Sequence, residues 1–207
     1  MIKMIASISG ILGAAVFVVA SIWSGLYVGH YDPVSQFISE GYARGMPYAS
    51  ILQLGFIVSG VLLSVFGWAL VFHFRNVKTI KYLFIVFAVF YGFGTVITGI
   101  FPCDMGCVPD EHNPSVSQYI HNLSGGIAYL TIPLTLLLMA RSFKRQGYHP
   151  PLYRYTRICG LVSTAFVTIL FLQPESHFKG LYQRVIEIAI LSWVLVMSTF
   201  LQSGRID

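Results

Sequence analysis

Charged residues are scarce in this sequence, and their scarcity excludes an ordinary soluble domain. Only 10% of the 207 residues are Asp, Glu, Lys or Arg, whereas 56% are hydrophobic and the mean hydropathy is +0.72. Soluble globular domains carry about 25% charged residues. A bilayer must therefore surround most of the chain, and we expect an all-α, polytopic integral membrane protein.

The motifs that usually name a reaction are also missing. The sequence has no P-loop, no G-x-S-x-G, no H-E-x-x-H and no dinucleotide-binding glycine motif. We find no convincing internal repeat of the kind that transporter folds show. The net charge of +5 comes from loops and not from a basic tract with interleaved aromatic residues. We therefore expect membrane lipids as partners and no nucleic acid.

Six apolar stretches are long enough to cross a bilayer, which takes about 20 helical residues. The predicted spans are 4–28, 48–73, 82–102, 120–140, 158–173 and 180–202. The fifth span is the shortest, but Arg154 and Arg157 can snorkel and extend it. Five glycines in the third and fourth spans predict close helix packing: Gly92, Gly94, Gly99, Gly125 and Gly126. A single six-span domain over residues 1–207 follows, with the first stretch a retained span and not a signal peptide.

The basic residues fall mainly on one side of this arrangement. Ten of the thirteen Lys and Arg residues lie in the termini and loops of one side, and only Arg44, Lys179 and Arg184 lie on the other. Short loops rich in Lys and Arg stay in the cytoplasm. We therefore expect both termini in the cytoplasm and the unusual polar residues at the extracytoplasmic face of a plasma membrane.

The first outer segment, 30–46, carries the signal of a helix start. Asp32 suits the N-cap and Pro33 the first helical position, so a short interfacial helix should follow. Ser35 and Ser39 lie on one face of it at i,i+4. The helix could simply pack on the bundle, or it could act as a lid whose Asp32, Ser35 or Ser39 contacts a substrate.

The second outer segment, 103–119, holds two cysteines four residues apart. A disulfide between Cys103 and Cys107 is the leading interpretation in a compartment that permits oxidation. Cysteine, aspartate and histidine are also zinc ligands, although the spacing matches no common zinc motif. With the cysteines oxidised, a divalent metal such as zinc could still be held by a set of four residues: Asp104, His112, His121 and His177.

The sixth span contains ionisable residues near its start. Arg184 and Glu187 lie at i,i+3 and can pair along one helix face, or Arg184 can hold Asp104 across the bundle. Ionisable groups inside a membrane usually face a protein interior or a watery cavity. Together with Gln183, these residues are candidates for a functional site, although an ion pair at the interface would explain them too.

Several of these residues also carry a family resemblance. The stretch Phe-Pro-Cys-Asp-x-Gly-Cys, the later His121 and the segment Gly-Leu-Tyr-Gln-Arg resemble the DUF998 family of six-span prokaryotic membrane proteins. The matching positions are Cys103, Asp104, Gly106, Cys107, His121, Gln183 and Arg184, with 32–39 as a looser match. The resemblance implies six spans over the whole chain and a prokaryotic membrane. It implies no substrate.

Three functions compete on this evidence. The first is a membrane enzyme, for example a metal-assisted hydrolase, that acts on a lipid or another amphipathic substrate at the outer face. Its catalytic residues would be Asp104, His121, Ser35 and Ser39, and its substrate-binding residues Asp32, Gln183, Arg184 and Glu187. The second is a lipid-binding or small-molecule-binding protein or a transporter that uses the same polar cluster. The third is an accessory subunit of an envelope complex.

Overall fold

The computed structural model describes residues 1–27, 29, 31–107 and 113–202. These residues form helices and no strand, and six of the helices are long and apolar enough to cross a membrane. The six helices are α1 (Ile2–Tyr27), α2 (Ala49–His73), α3 (Lys78–Ile100), α4 (Val116–Arg145), α5 (Pro150–Leu172) and α6 (Lys179–Gln202). The predicted six-span, all-α architecture is confirmed.

The predicted span ends agree with the observed ends to within about five residues, except at α5. This helix begins at Pro150, whereas the predicted span began at residue 158. Two prolines occupy the first helical positions after His149, where no backbone N–H is needed. Arg154 and Arg157 are exposed, so a helix that carries charges continues beyond the apolar stretch that hydropathy detects.

The bundle has two ends of different composition. The described residues of the connections 28–48, 101–115 and 173–178 lie at one end, which we call the loop end. The connections 74–77 and 146–149 lie at the other, which we call the basic end because most Lys and Arg residues gather there. Between the ends, an aromatic core surrounds Trp193 of α6, which is fully buried against Phe66, Phe84 and Phe87.

Glycines bring α2 and α3 unusually close together. A Cβ atom on Gly60 would lie 2.6 Å from the Val96 backbone nitrogen, and one on Gly92 would lie 2.6 Å from that of Ser64. Real Cβ atoms do not approach so closely, so only glycine fits at these two positions. Close approach through small residues is typical of membrane helices, and the packing predicted for Gly92 is found.

Helix α3 contains a π-helical segment, Phe87–Phe93. Such segments are rare and are frequently found at functional sites. The wider turn changes the direction in which side chains project. Tyr91 lies in this segment and is buried, with 2% of its surface exposed. The segment therefore brings a phenol into the interior of the bundle.

The first connection at the loop end contains a 3₁₀ helix, Ile38–Tyr42, whose five residues are all buried. The predicted short helix is therefore present, but it begins five residues after Pro33. Asp32 accepts hydrogen bonds from the backbone N–H groups of Val34 and Ser35 and closes a turn there. An Asp-centred turn competes with helix formation at this position, and the helix starts only after the turn.

Candidate functional site

A cavity of about 90 Å³ lies inside the bundle, toward the loop end. Its wall combines aromatic rings with polar groups. The aromatic residues are Phe17, Tyr42, Phe56, Tyr91 and Tyr129, and the polar residues are Ser39, Thr95, Thr98, His121, Ser124, Gln183 and Glu187. Because α1, α2, α3, α4, α6 and the 3₁₀ helix all contribute, the cavity exists only in the assembled bundle.

Glu187 carries the one carboxylate among the lining residues. Only 7% of its surface is exposed, and it lies about 12 Å along α6 from Lys179 at 1.5 Å per residue. The hydroxyl of Tyr91 donates to its Oε2 at 2.6 Å, and the hydroxyl of Tyr129 donates to its Oε1 at 2.7 Å. The two phenols, which come from α3 and α4, therefore hold the carboxylate in one orientation.

No basic side chain of the described residues pairs with Glu187. The ion pairs within this part of the chain join Arg44 to Asp104 and Lys179 to Glu40. Arg184, one turn before Glu187, points toward the first connection instead. The predicted pair of Arg184 and Glu187 is thus not formed, because the two side chains leave α6 in different directions. The carboxylate has hydrogen-bond donors but no counter-charge.

One side of the cavity consists of aromatic rings from α1, α2 and the 3₁₀ helix. Phe56 packs edge-on against Phe17 with the ring centres 5.1 Å apart, and Tyr42 lies 4.6 Å from Phe56. Burial raises the pKa of Tyr42, so its hydroxyl keeps its proton at neutral pH. This wall therefore offers ring faces and one hydroxyl donor, and it offers no second negative charge.

Gly125 of α4 leaves part of the cavity open. A Cβ atom built on this glycine meets no heavy atom within 4 Å, although the residue lines the cavity. The close packing predicted from the glycines of the third and fourth spans is therefore not found at Gly125. The absent side chain here contributes empty space.

His121 and Ser39 line the cavity on the side of the loop end. The His121 ring is 8% exposed, and its Nδ1 lies 3.0 Å from the carbonyl oxygen of Phe101. The Ser39 Oγ lies 3.2 Å from the Cys107 Sγ. Cys103 and Cys107 are at disulfide-bonding distance, with their Cα atoms 5.0 Å apart, as the sequence predicted. The disulfide thus packs behind the cavity wall.

A different set of residues from the predicted one is placed to hold a metal. Within the described residues, the ligand atoms that lie within 4.8 Å of one another belong to Cys103, Cys107 and His121. Zinc binds cysteine as thiolate, and the disulfide removes both thiolates. The oxidised donor set therefore does not fit a metal, and only the reduced pair would offer ligands.

Asp104 does not reach the cavity. Its carboxylate accepts hydrogen bonds from the backbone N–H of Ser115 at 2.9 Å and from the Ser115 hydroxyl at 2.7 Å, and Arg44 lies 3.7 Å away. These two hydrogen bonds and the Arg44 charge lower the pKa of Asp104. Since Ser115 is the N-cap of α4, Asp104 secures the start of that helix and does not meet His121.

Asp32, Ser35 and Arg184 also serve the loop end. Asp32 accepts hydrogen bonds from the Ser35 hydroxyl and the backbone of its own turn, which lowers its pKa. The Arg184 guanidinium donates to the carbonyl oxygens of Pro33 and Gln36 at 2.7 and 2.9 Å, and to the Tyr31 hydroxyl. These contacts fasten the first connection to α6, so none of the three residues faces the cavity.

Of the remaining histidines of the predicted site, His177 is described by the structure and does not line the cavity. His177 is exposed and packs edge-on against Phe178. His30 and His112 lie outside the described residues. The predicted ligands Asp104, His121 and His177 therefore do not form one group, since each lies in a separate contact of the loop end.

The model of a protein family, described as a protein of unknown function (DUF998), matches residues 11–199. The chain belongs to the DUF998 family. The matched residues include parts of all six helices and every residue that lines the cavity. No curated protein and no solved structure matches the chain.

In this DUF998 chain, four of the predicted site residues meet in the cavity: Ser39, His121, Gln183 and Glu187. Gln183 also accepts a hydrogen bond from the backbone N–H of Ile38 at 2.6 Å and so ties the 3₁₀ helix to α6. Sequence reasoning missed Tyr91 and Tyr129. The sequence feature that could have identified them is a phenol deep within an apolar span, because a buried hydroxyl needs a hydrogen-bond partner.

Proposed function

We propose that the chain binds a small organic cation, such as an alkylammonium ion, in its central cavity, as a small-molecule-binding protein or a transporter. The observation that carries the proposal is the buried Glu187 carboxylate, which lines the cavity and has no basic partner among the described residues. Ionisable groups inside a membrane mark substrate or ion pathways by default.

The energetics of a buried carboxylate favour a cationic ligand. Removing an ion from water is costly unless a counter-charge and hydrogen bonds replace the water. Tyr91 and Tyr129 supply the hydrogen bonds to Glu187. A bound ammonium group would supply the counter-charge, and the rings of Phe17 and Phe56 would offer faces that attract a cation.

The size of the cavity supports a small ligand and argues against a whole lipid. Pockets for drug-sized ligands measure about 300–1,000 Å³, whereas this cavity measures about 90 Å³. An ion of a few heavy atoms fits that volume, and two acyl chains do not.

The first experiment measures how ethylammonium changes the thermal unfolding of the purified full-length chain. Ethylammonium should raise the unfolding temperature of the wild-type chain, since a ligand that binds only the folded state stabilises it. The Glu187→Gln variant keeps the shape of the side chain and loses its charge, so the shift should disappear. Glu175→Gln removes an exposed acid from the same end and should leave the shift intact.

A second pair of variants tests the cavity itself. Gly125→Leu should fill the open space and abolish the ethylammonium shift, whereas Gly126→Leu should preserve it, because Gly126 is on the same helix and does not line the cavity. Neither glycine has a neighbour that a Cβ atom would strike, and Gly126→Leu controls for the effect of a leucine on the same helix. An equal ethylammonium shift in wild type and Glu187→Gln would overturn the proposal.

Uptake by proteoliposomes separates a binding protein from a transporter. Accumulation of labelled ethylammonium in wild-type vesicles, absent with Glu187→Gln, would identify a transporter. Binding without accumulation would identify a binding protein.

A hydrolase remains a second proposal. Its support is that His121, Ser39 and Glu187, which can act in proton transfer, line one cavity. Convergent titratable groups are common at catalytic centres. Hydrolysis of short-chain esters by the purified chain, lost on His121→Gln, would favour it. Equal ester hydrolysis by wild type and His121→Gln would exclude His121 as the acid–base group.

We also propose the orientation and location of the chain. The support is the concentration of Lys and Arg at the basic end, which the positive-inside rule places in the cytoplasm. Both termini would then be cytoplasmic, and the loop end with its disulfide would face outward from a prokaryotic plasma membrane. Labelling of introduced cysteines from each side of the membrane tests the orientation.

A further inference from the structure

A second concave surface lies at the basic end, between α4 and α5, with a volume of about 280 Å³. The α4 residues that line it are Leu137, Ala140, Arg141 and Lys144, spaced i, i+3, i+4 and i+7. The α5 residues are Tyr153, Arg157 and Leu161, spaced i, i+4 and i+8. Each set is one face of its helix, so two neighbouring helices together form the surface, which we call the α4–α5 groove.

Three cationic side chains converge on this groove. Arg141, Lys144 and Arg157 are exposed, and among the described residues none of them pairs with a carboxylate, since the ion pairs there involve Arg44 and Lys179 at the loop end. The positive-inside rule explains why this end is basic. It does not explain why three charges from two helices line one groove.

The groove changes from cationic to apolar with depth in the bundle. Lys144 lies at the second-last position of α4, and Arg141 lies one turn deeper. Leu137 lies one further turn toward the membrane centre, and Leu161 lies one turn deeper than Arg157 on α5. A ligand with an anionic head group and an apolar chain would match this order, with its head group at the cationic end and its chain at the apolar end.

We infer that the α4–α5 groove binds the head group of an anionic phospholipid. The phosphate would lie among Arg141, Lys144 and Arg157, with the Tyr153 hydroxyl as a further donor, and an acyl chain would run over Leu137 and Leu161. Basic pockets between membrane helices bind anionic head groups in this way. The inference concerns the opposite end of the bundle from Glu187, so it does not rest on the proposed cation site.

Native mass spectrometry of the detergent-purified full chain tests the inference. The chain is mixed with equal amounts of phosphatidylglycerol and phosphatidylcholine, and the dissociation constant of each bound lipid is measured. Wild type should prefer phosphatidylglycerol. The triple variant Arg141→Gln/Lys144→Gln/Arg157→Gln should bind it about 100-fold more weakly, because each basic residue near a membrane surface contributes about 1 kcal/mol and about 1.4 kcal/mol is tenfold.

A matched variant controls for the loss of charge. Arg75→Gln/Lys78→Gln/Lys81→Gln removes three positive charges from the same end, near the connection of α2 and α3, and none of these residues lines the groove. Its affinity for phosphatidylglycerol should equal that of wild type. If both triple variants weaken binding equally, the attraction is a general property of the basic end and the groove is not a site.

Inorganic phosphate separates a lipid site from a phosphate site. Added in excess, it should leave phosphatidylglycerol bound, since it lacks the chain that contacts Leu137 and Leu161. Displacement of the lipid by phosphate, or equal affinity of wild type for the two lipids, would overturn the inference.

Discussion

At the residue scale, the Glu187 carboxylate shows how a buried acid is accommodated inside a membrane bundle. Each of its oxygens accepts one phenolic hydrogen bond, from Tyr91 and from Tyr129. Tyr91 reaches it from the π-helical segment, which reorients the side chains of α3. The two bonds join three helices, so they stabilise the bundle and also fix the direction of the carboxylate.

Removing one phenolic hydroxyl should therefore destabilise the protein. Tyr91→Phe keeps the ring and deletes the donor to Glu187 Oε2, leaving that buried oxygen without a partner. A buried acceptor left without its donor costs about 1–3 kcal/mol, and we expect the free energy of unfolding to fall by that amount. Reversible unfolding in mixed detergent micelles measures it.

Tyr82→Phe is the matched control for this change. Tyr82 lies on the same helix, but 59% of its surface is exposed, so loss of its hydroxyl should alter stability little. Equal stabilities of Tyr91→Phe and Tyr82→Phe would show that the bond to Glu187 contributes nothing measurable.

At the element scale, the loop end is fastened by contacts between connections and helix starts. The Arg44 backbone N–H donates to the Cys103 carbonyl oxygen at 2.9 Å, and the Leu181 N–H donates to the Val34 carbonyl oxygen at 2.9 Å. A Cβ atom on Gly180 would overlap the backbone of Gln36, so the first connection lies directly on the start of α6. Asp32, Asp104 and Arg184, which the sequence offered as site residues, secure the connections at this end.

Asp104 gives these joints a predictable pH dependence. Hydrogen bonds from Ser115 lower its pKa from the usual 3.8 in the folded state. As the pH falls, the unfolded chain therefore binds a proton at Asp104 before the folded chain does. The contribution of the Asp104 carboxylate to folding stability is present above about pH 4 and is lost as the pH falls through the lower pKa of the folded state.

Asp104→Asn should remove this contribution. Wild type should be more stable than the variant near neutral pH, and the difference should shrink on acidification below about pH 4. Unfolding temperatures measured across that range test the prediction. Ser115→Ala removes the hydroxyl donor and keeps the backbone donor, so its acid dependence should be intermediate. A stability difference between wild type and Asp104→Asn that is constant with pH would contradict the assignment.

At the scale of the whole molecule, the proposed orientation can be checked with two single cysteines. Gln146→Cys places an exposed thiol at the basic end and Glu175→Cys places one at the loop end. A membrane-impermeant maleimide should label Glu175→Cys in intact cells and Gln146→Cys only after permeabilisation.

The native cysteines provide a low background for this labelling. Cys103 and Cys107 are at disulfide-bonding distance, and Cys159 is buried. The reverse labelling pattern would place the loop end in the cytoplasm and would contradict the proposed orientation.

The sequence by itself determined the membrane architecture, because span length and hydropathy depend on local composition and on the thickness of the bilayer. It also indicated the disulfide, since Cys103 and Cys107 are only four residues apart. The predicted fifth span starts at residue 158, whereas α5 starts at Pro150, because Arg154 and Arg157 interrupt the apolar signal within a helix that continues past them.

Only the tertiary structure decided which polar residues share a site. Asp104 and His121 come from the same stretch of sequence, yet Asp104 holds Ser115, the N-cap of α4, and His121 lines the cavity. Glu187 meets Tyr91 and Tyr129 because α3, α4 and α6 pack around one space, and residues so distant along the chain leave no local pattern. The direction in which each side chain leaves its helix depends on this packing and on the π-helical turn of α3.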